Sequence, residues 1–400
     1  MSAKLLALSL LLSTLVAPTL TQAAGKETDL YNFNPHIASN PFGGLTMDSS
    51  GNLYGATLSG TIFEFSPNGS GGWTYTSLCD CGTSYSFGSL AMDASGSLYG
   101  STYFGDVYEY SPSTSGTWTA TLVYSFGTSG AGPSPVILDA AGNLYGIFGT
   151  GGASGIGYVF ELSPSATGTW TLTDLHDFDG ADGAESGSDA AGLLGGLTMN
   201  ASGNLFGTTG AGGSGTDCGG GCGVVFELTN NAGTWTETVL HSFTGTDGQN
   251  PDAPLLIGPN GHLFGTTASG GANGFGVVFQ AASVDGTWQT TDLYSFTNAN
   301  GDGAYPDSAL IMDGSGDIFG TTDSGGGSTN CTVETDNGCG TAFELKRKGN
   351  TWTEGILHSF QGTGDGGFPG GVVLQNGNLY GVAEVGGRYN VGLFYQLTTP

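Results

Sequence analysis

The chain has 400 residues, six of them Lys or Arg against 34 Asp or Glu, for a formal net charge of −28 at pH 7. A surface this acidic repels nucleic acid and anionic membranes, so neither is expected as a partner. With 76 glycines and 38% apolar residues, the chain can still build a sizeable core, provided that core is assembled from many short strands.

Chain order begins with a leader. Lys4 precedes an apolar run over residues 5–16, followed by small and polar residues up to Ala23 and Ala24. This is the layout of a secretory signal peptide, and the run is shorter than the ~20 apolar residues of a spanning helix. Cleavage near Ala23 or Ala24 is expected, dividing the chain into a signal peptide, 1–24, and one domain, 25–400. No later stretch reads as transmembrane, and the sequence stops at Thr399-Pro400 without a sorting tail. A freely secreted monomer, periplasmic or extracellular, is therefore expected. Six cysteines suit such an oxidising compartment.

Beyond the leader, one phrase returns from end to end. It reads GNLFGTT from Gly203, and near copies start at Gly51, Gly96, Gly142, Gly261, Gly316 and Gly377, which makes seven. Repetition of this kind settles the architecture first. Each unit holds four short apolar segments; in the fourth unit they cover residues 196–199, 204–208, 224–228 and 235–243. β-Branched and aromatic residues bounded by Gly, Asn, Asp and Ser are a strand-and-turn signature. No amphipathic helix is legible after the leader. Four strands repeated radially make a β-propeller blade, whose strands we label A to D.

The two ends of the chain supply the topology. The last unit stops after strand C (residues 393–397), while residues 29–33 match a strand D (residues 292–296) that lacks a unit of its own. Pairing them completes a last blade and removes the exposed edges of an open array. The expected fold is all-β, a seven-bladed β-propeller of four-stranded blades whose last blade is closed by the N-terminal strand.

The composite of Gly207-Thr208-Thr209, Cys218, Cys222-Gly223, Val225-Phe226-Glu227-Leu228 and Leu240-His241-Ser242-Phe243 resembles the GloVer tandem-repeat family of secreted bacterial proteins. The resemblance covers residues 29–397. That family is known mainly as propeller-like repeats with varied C-terminal surface anchors, and the anchor is what this sequence departs from. The resemblance implies a fold and no established activity.

Loop lengths point to a working face. From the second Gly of strand B to the strand C aromatic the gap is eight residues at Gly55/Phe63, 19 at Gly207/Phe226 and 23 at Gly320/Phe343. In an up-and-down blade the B–C and D–A connections emerge on the same face, so nearly all variation falls there, the usual place for function on a rigid scaffold. That face is rich in Asp and Gly. Asp179, Asp182, Asp247, Asp252, Asp302, Asp307, Asp365 and Arg388 are the expected ligand-contacting residues. Carboxylates beside turn glycines can hold calcium through oxygen, with Asp247, Asp252 and Asp302 as its ligands. Ordinary Asp-Gly turn chemistry is the simpler account. No cofactor is expected beyond that calcium.

Other distinctive residues dissolve into the repeat. His176, His241 and His358 hold a strand D position that is Tyr31, Tyr124 and Tyr294 elsewhere, which reads as a packing site with a polar tip. All six Trp residues open strand D. Counting along the hairpin sets Trp170 opposite Glu161 and Trp235 opposite Glu227, a cross-strand contact, with a sugar-stacking platform as the sharper alternative. Cys218/Cys222 and Cys331/Cys339 fall in the two longest B–C loops and are expected as disulfides. Cys79 and Cys81 remain open between a strained bridge, free thiols and an outside partner. With no reactive constellation, the expected function is a secreted, non-catalytic binding module for a glycan or another cell-surface polymer. A carbohydrate hydrolase using loop carboxylates, and a structural envelope or matrix scaffold, are the alternatives.

Overall fold

Strand B is buried in every blade, as at Leu53–Thr57, Leu205–Thr209 and Leu263–Thr267. A strand apolar or small at every position can only sit inside a stack of sheets. Strand D behaves differently: Trp170–Asp177 begins by alternating half-buried and exposed residues, the pattern of an outer strand with one face in water. The computed structural model describes residues 25–399 apart from 82–85, 114–115, 128–131, 185–194, 334–335 and 350. The expected leader lies outside the described residues.

Seven antiparallel four-stranded sheets follow one another around a ring. The first runs from A to D as Pro41–Met47, Leu53–Thr57, Thr61–Pro67 and Trp73–Asp80. The fourth runs as Leu197–Met199, Leu205–Thr209, Val224–Asn231 and Thr234–Ser242. In the seventh, Val373–Gln375, Asn378–Val385 and Leu393–Thr398 take the N-terminal strand Glu27–Asn32 as their strand D. That strand runs antiparallel to strand C, with Thr28 opposite Gln396 and Asn32 opposite Leu393. Across the joint, Phe65 of blade one stacks on Phe394 of blade seven with ring centroids 4.0 Å apart. The propeller is the one expected, and its ring is shut as expected.

The core lies between blades rather than within them. Phe264, Val278 and Phe296 of blade five pack with Leu310, Ile318 and Phe343 of blade six. Each fully buried side chain of this kind stabilises by ~1.5–3 kcal/mol, so every blade depends on its neighbours. The A–B turns are tied locally. Asp48 Oδ1 accepts the N–H groups of Ser50 at 2.8 Å and Asn52 at 2.9 Å, a side-chain mimic of a backbone turn.

The tryptophans need a correction. Trp170 pairs with Pro164 and Trp235 with Asn230, while Glu161 and Glu227 face Thr173 and Thr238. The hairpin is longer than the count allowed: only Ala232 and Gly233 separate the paired Asn231 and Thr234, and pairing therefore runs four residues past Glu227. The Trp residues of blades one, three, four, five and six instead meet the strand B aromatic of the preceding blade. Trp235 packs edge-on to Tyr145 at 6.3 Å, Trp288 to Phe206 at 6.5 Å and Trp352 to Phe264 at 6.3 Å. These residues are clamps between blades, on the face opposite the variable loops.

Three disulfides are present. Cys218–Cys222 and Cys331–Cys339 tie the two longest B–C loops, and Cys79, near the end of strand D of blade one, is bonded to Cys81 just beyond it. Among the described residues no helix is long and apolar enough to cross a membrane.

Candidate functional site

Strand A of each blade lines the ring axis, where the strands leave a cavity of about 530 Å³. Leu45, Leu90, Val136, Leu197 and Val372 contribute to its wall, one from each of five blades. The strands approach closely because small residues occupy the tightest points. A Cβ on Gly43 would stand 2.5 Å from the Cα of Gly88 in the next blade, and one on Gly370 would enter the carbonyl of Gly43. Phe42 and Phe368 add aromatic surface.

Among the described residues, the charged part of the wall is acidic and comes from blades five to seven. Asp252 and Asp307 lead into strand A of blades five and six, Asp323 directly follows strand B of blade six, and Glu384 lies near the end of strand B of blade seven. The connectivity of an up-and-down blade puts all four at the end of the cavity where the variable loops emerge. Among the described residues, no Lys, Arg or His lines the cavity. Burial, and then the charge of Asp323, push Asp307 well above the usual carboxylate range. Burial raises Asp323 as well, and burial together with Asp323 raises Glu384. Burial thus favours the protonated form of these carboxyls, which can donate a hydrogen bond as well as accept one.

Two of the expected ligand-contacting residues, Asp252 and Asp307, meet at this cavity. Sequence reasoning missed Asp323 and Glu384, although a signal was there. Both stand three residues after the strand B glycine, at Gly320 and Gly381, where the other blades carry Leu58, Tyr103, Gly149, Gly210 and Ala268. An acid at that position in two adjoining blades breaks the repeat.

The other expected residues are engaged locally, most of them in the turn that follows strand D. Asp182 Oδ2 lies 3.0 Å from His176 Nε2, Asp247 Oδ2 lies 2.9 Å from His241 Nε2, and Asp365 Oδ2 lies 3.0 Å from His358 Nε2. Asp302 is buried and accepts the Tyr294 hydroxyl at 3.0 Å and the Thr297 N–H at 2.8 Å. Asp179 caps its own turn, accepting the Ala181 N–H at 2.8 Å. Arg388 lays its guanidinium over Tyr389, 5.4 Å from the ring centre. Burial alone would raise Asp247, but hydrogen bonds from His241 and Thr244 bring it down to about 2.

A single rule orders the blade junctions. The strand D residue four before the His or Tyr position meets the His or Tyr of the preceding blade. Tyr75 stacks on Tyr31 at 4.5 Å, and the Thr290 hydroxyl lies 3.2 Å from His241 Nδ1. At the equivalent place Glu237 reaches His176 and Asp182, and one donor atom from each lies within 4.8 Å of the others. Among the described residues this is the one group of three or more His, Cys, Asp or Glu side chains so arranged. The calcium candidates Asp247, Asp252 and Asp302 form no such group.

Three solved structures share the architecture. YCF48 bound to a D1 peptide gives a TM-score of 0.56 at 11% identity, covering 96% of this chain and 99% of that one. The extracellular domain of a hybrid two-component system from B. thetaiotaomicron gives 0.53 at 14% identity, covering 92% of this chain and 41% of that one. A protein from Lactobacillus plantarum gives 0.52 at 17% identity, covering 86% and 88%. At these identities the likeness is one of fold. No curated protein matches the sequence. The family model of the Gloeobacter/Verrucomicrobia repeat matches residues 195–400.

Proposed function

The chain belongs to the Gloeobacter/Verrucomicrobia repeat family, and from its axial cavity we propose a secreted, non-catalytic binding protein for a neutral glycan or another hydroxyl-rich surface polymer. The observation that carries this reading is the set of acids at the cavity mouth, Asp252, Asp307, Asp323 and Glu384, with no basic residue in the wall among the described residues. Sugar hydroxyls both donate and accept hydrogen bonds, and carboxyl groups whose protonated form is favoured by burial can answer both. The apolar wall and the Phe42 and Phe368 rings suit the C–H faces of a sugar. An anionic polymer would meet only repulsion. The oxidised cysteine pairs agree with a secreted location.

Glycan-array screening followed by calorimetry on the mature protein tests this. A neutral glycan should bind, and Asp307→Ala or Asp252→Ala should weaken it at least ~10-fold, the loss expected when a hydrogen-bond partner in a buried site is removed. Failure to bind any neutral glycan, or unchanged affinity in both variants, would overturn the proposal.

A second reading rests on Asp307 and Asp323 alone. Two carboxyl groups close enough for the charge of one to raise the other are the equipment of a glycosidase. Release of reducing ends from a bound glycan, abolished by Asp307→Asn with the fold intact, would favour that reading over simple binding.

A further inference from the structure

The three His–Asp pairs at the blade junctions are alike in geometry, but their third neighbours differ. His241 and Asp247 are met by the hydroxyl of Thr290, 3.2 Å from His241 Nδ1. His176 and Asp182 are met by the carboxylate of Glu237. Glu27 holds the matching position beside His358 and Asp365, yet does not join them in a compact group. From this contrast we infer that His176, Asp182 and Glu237 form a binding site for a divalent first-row transition-metal ion, with Zn²⁺ as the best fit. This inference is independent of the proposed function, since it concerns the outer strands rather than the cavity.

The chemistry of the donors supports it. One imidazole nitrogen and two carboxylate oxygens are a common zinc ligand set, with bonds of ~2.0–2.2 Å that place donors roughly 3.3–3.6 Å apart in a tetrahedral site. The three donor atoms already lie within 4.8 Å of one another, and His176 Nε2 and Asp182 Oδ2 are 3.0 Å apart. Side-chain rotations would therefore complete the triangle. Glu237 Oε1 is buried and has no hydrogen-bond partner, a costly state for a carboxylate oxygen that a cation would relieve. Two carboxylates and a neutral imidazole would balance the ion's charge.

The surroundings hold these ligands in place. Asp182 Oδ1 accepts the Asp179 N–H at 2.8 Å, leaving Oδ2 for the ion. Phe178 packs edge-on to the His176 ring at 5.3 Å, fixing its plane. Support of this sort orients metal ligands. A bound ion would join strand D of blade three, the turn that follows it and strand D of blade four. The fourth coordination position would be left to water.

Equilibrium dialysis of the untagged mature protein, stripped by chelator and exposed to Zn²⁺ alone, tests the site. The wild type should retain one ion per chain and melt at a higher temperature than the stripped protein. Glu237→Gln should weaken binding at least ~10-fold. Thr290→Glu should raise the count to two by giving His241 and Asp247 a third ligand. Absence of Zn²⁺ from the wild type, or equal retention by Glu237→Gln, would overturn the assignment. Should Glu237→Gln fail to fold, Thr290→Glu still decides: a second ion supports the site, and no increase refutes it.

Discussion

Gly265 lies directly opposite Phe279 in the B–C ladder of blade five, and a Cβ added to it would stand 2.6 Å from the tip of that ring. The same relationship joins Gly146 to Phe160 and Gly320 to Phe343, each at 2.6 Å. This is why the repeated phrase carries its second glycine: the aromatic ring of strand C lies over the strand B backbone and leaves no room for a side chain.

Gly265→Ala should therefore destabilise the protein by about 1–3 kcal/mol, the usual range for overpacking a filled core. Urea unfolding followed by tryptophan fluorescence would measure it. Because the crowding is local, the slope of the transition should stay unchanged.

Trp288→Ala should cost about 2–3 kcal/mol, less than a fully buried tryptophan because this one is only partly buried against Phe206 and its neighbours. Ligand affinity at the cavity should not change. Loss of binding without loss of stability would revive the sugar-platform account of these residues.

Much of the fold was legible because the repeat encodes it several times over. The glycine opposite each aromatic and the unmatched strand D at the chain start each pointed to one arrangement. The candidate site was only half legible. Asp252 and Asp307 stood out as loop acids, but Asp323 and Glu384 belong to the ends of strand B, in blades six and seven. Only closure of the ring brings them to the same cavity. Asp247, Asp302 and Asp365 looked like free loop carboxylates, because the sequence could not show His241, Tyr294 and His358 meeting them. Hairpin counting also misplaced the tryptophans, since turn length is a backbone choice that Gly233 and Ala232 make locally.

Stability should fall as pH rises from about 5 to about 8. Burial, and then the charge of Asp302, raise Glu354 from 4.5 to about 8, and both its carboxyl oxygens are buried without hydrogen-bond partners. A carboxyl raised by folding stays protonated in the native state while the unfolded chain ionises. Its contribution is complete below pH ~4.5 and is lost as pH passes through ~8. Glu27, raised by burial and by Asp29 to about 8, acts in the same direction. Glu354→Gln should flatten the profile and stabilise the protein at pH 8 by on the order of a few kcal/mol. Thermal melts of both proteins from pH 5 to pH 8.5 would read this out, and parallel profiles would count against it.

The cavity and its set of acids exist only if blade seven abuts blade one, which the N-terminal strand secures. Thr28 and Gln396 face each other across that joint. The double variant Thr28→Cys, Gln396→Cys should form an intramolecular disulfide on mild oxidation, detected by peptide mapping, and should then melt at a higher temperature than its reduced form. Failure of the two positions to cross-link in the folded, monomeric protein would contradict ring closure and the binding site built on it.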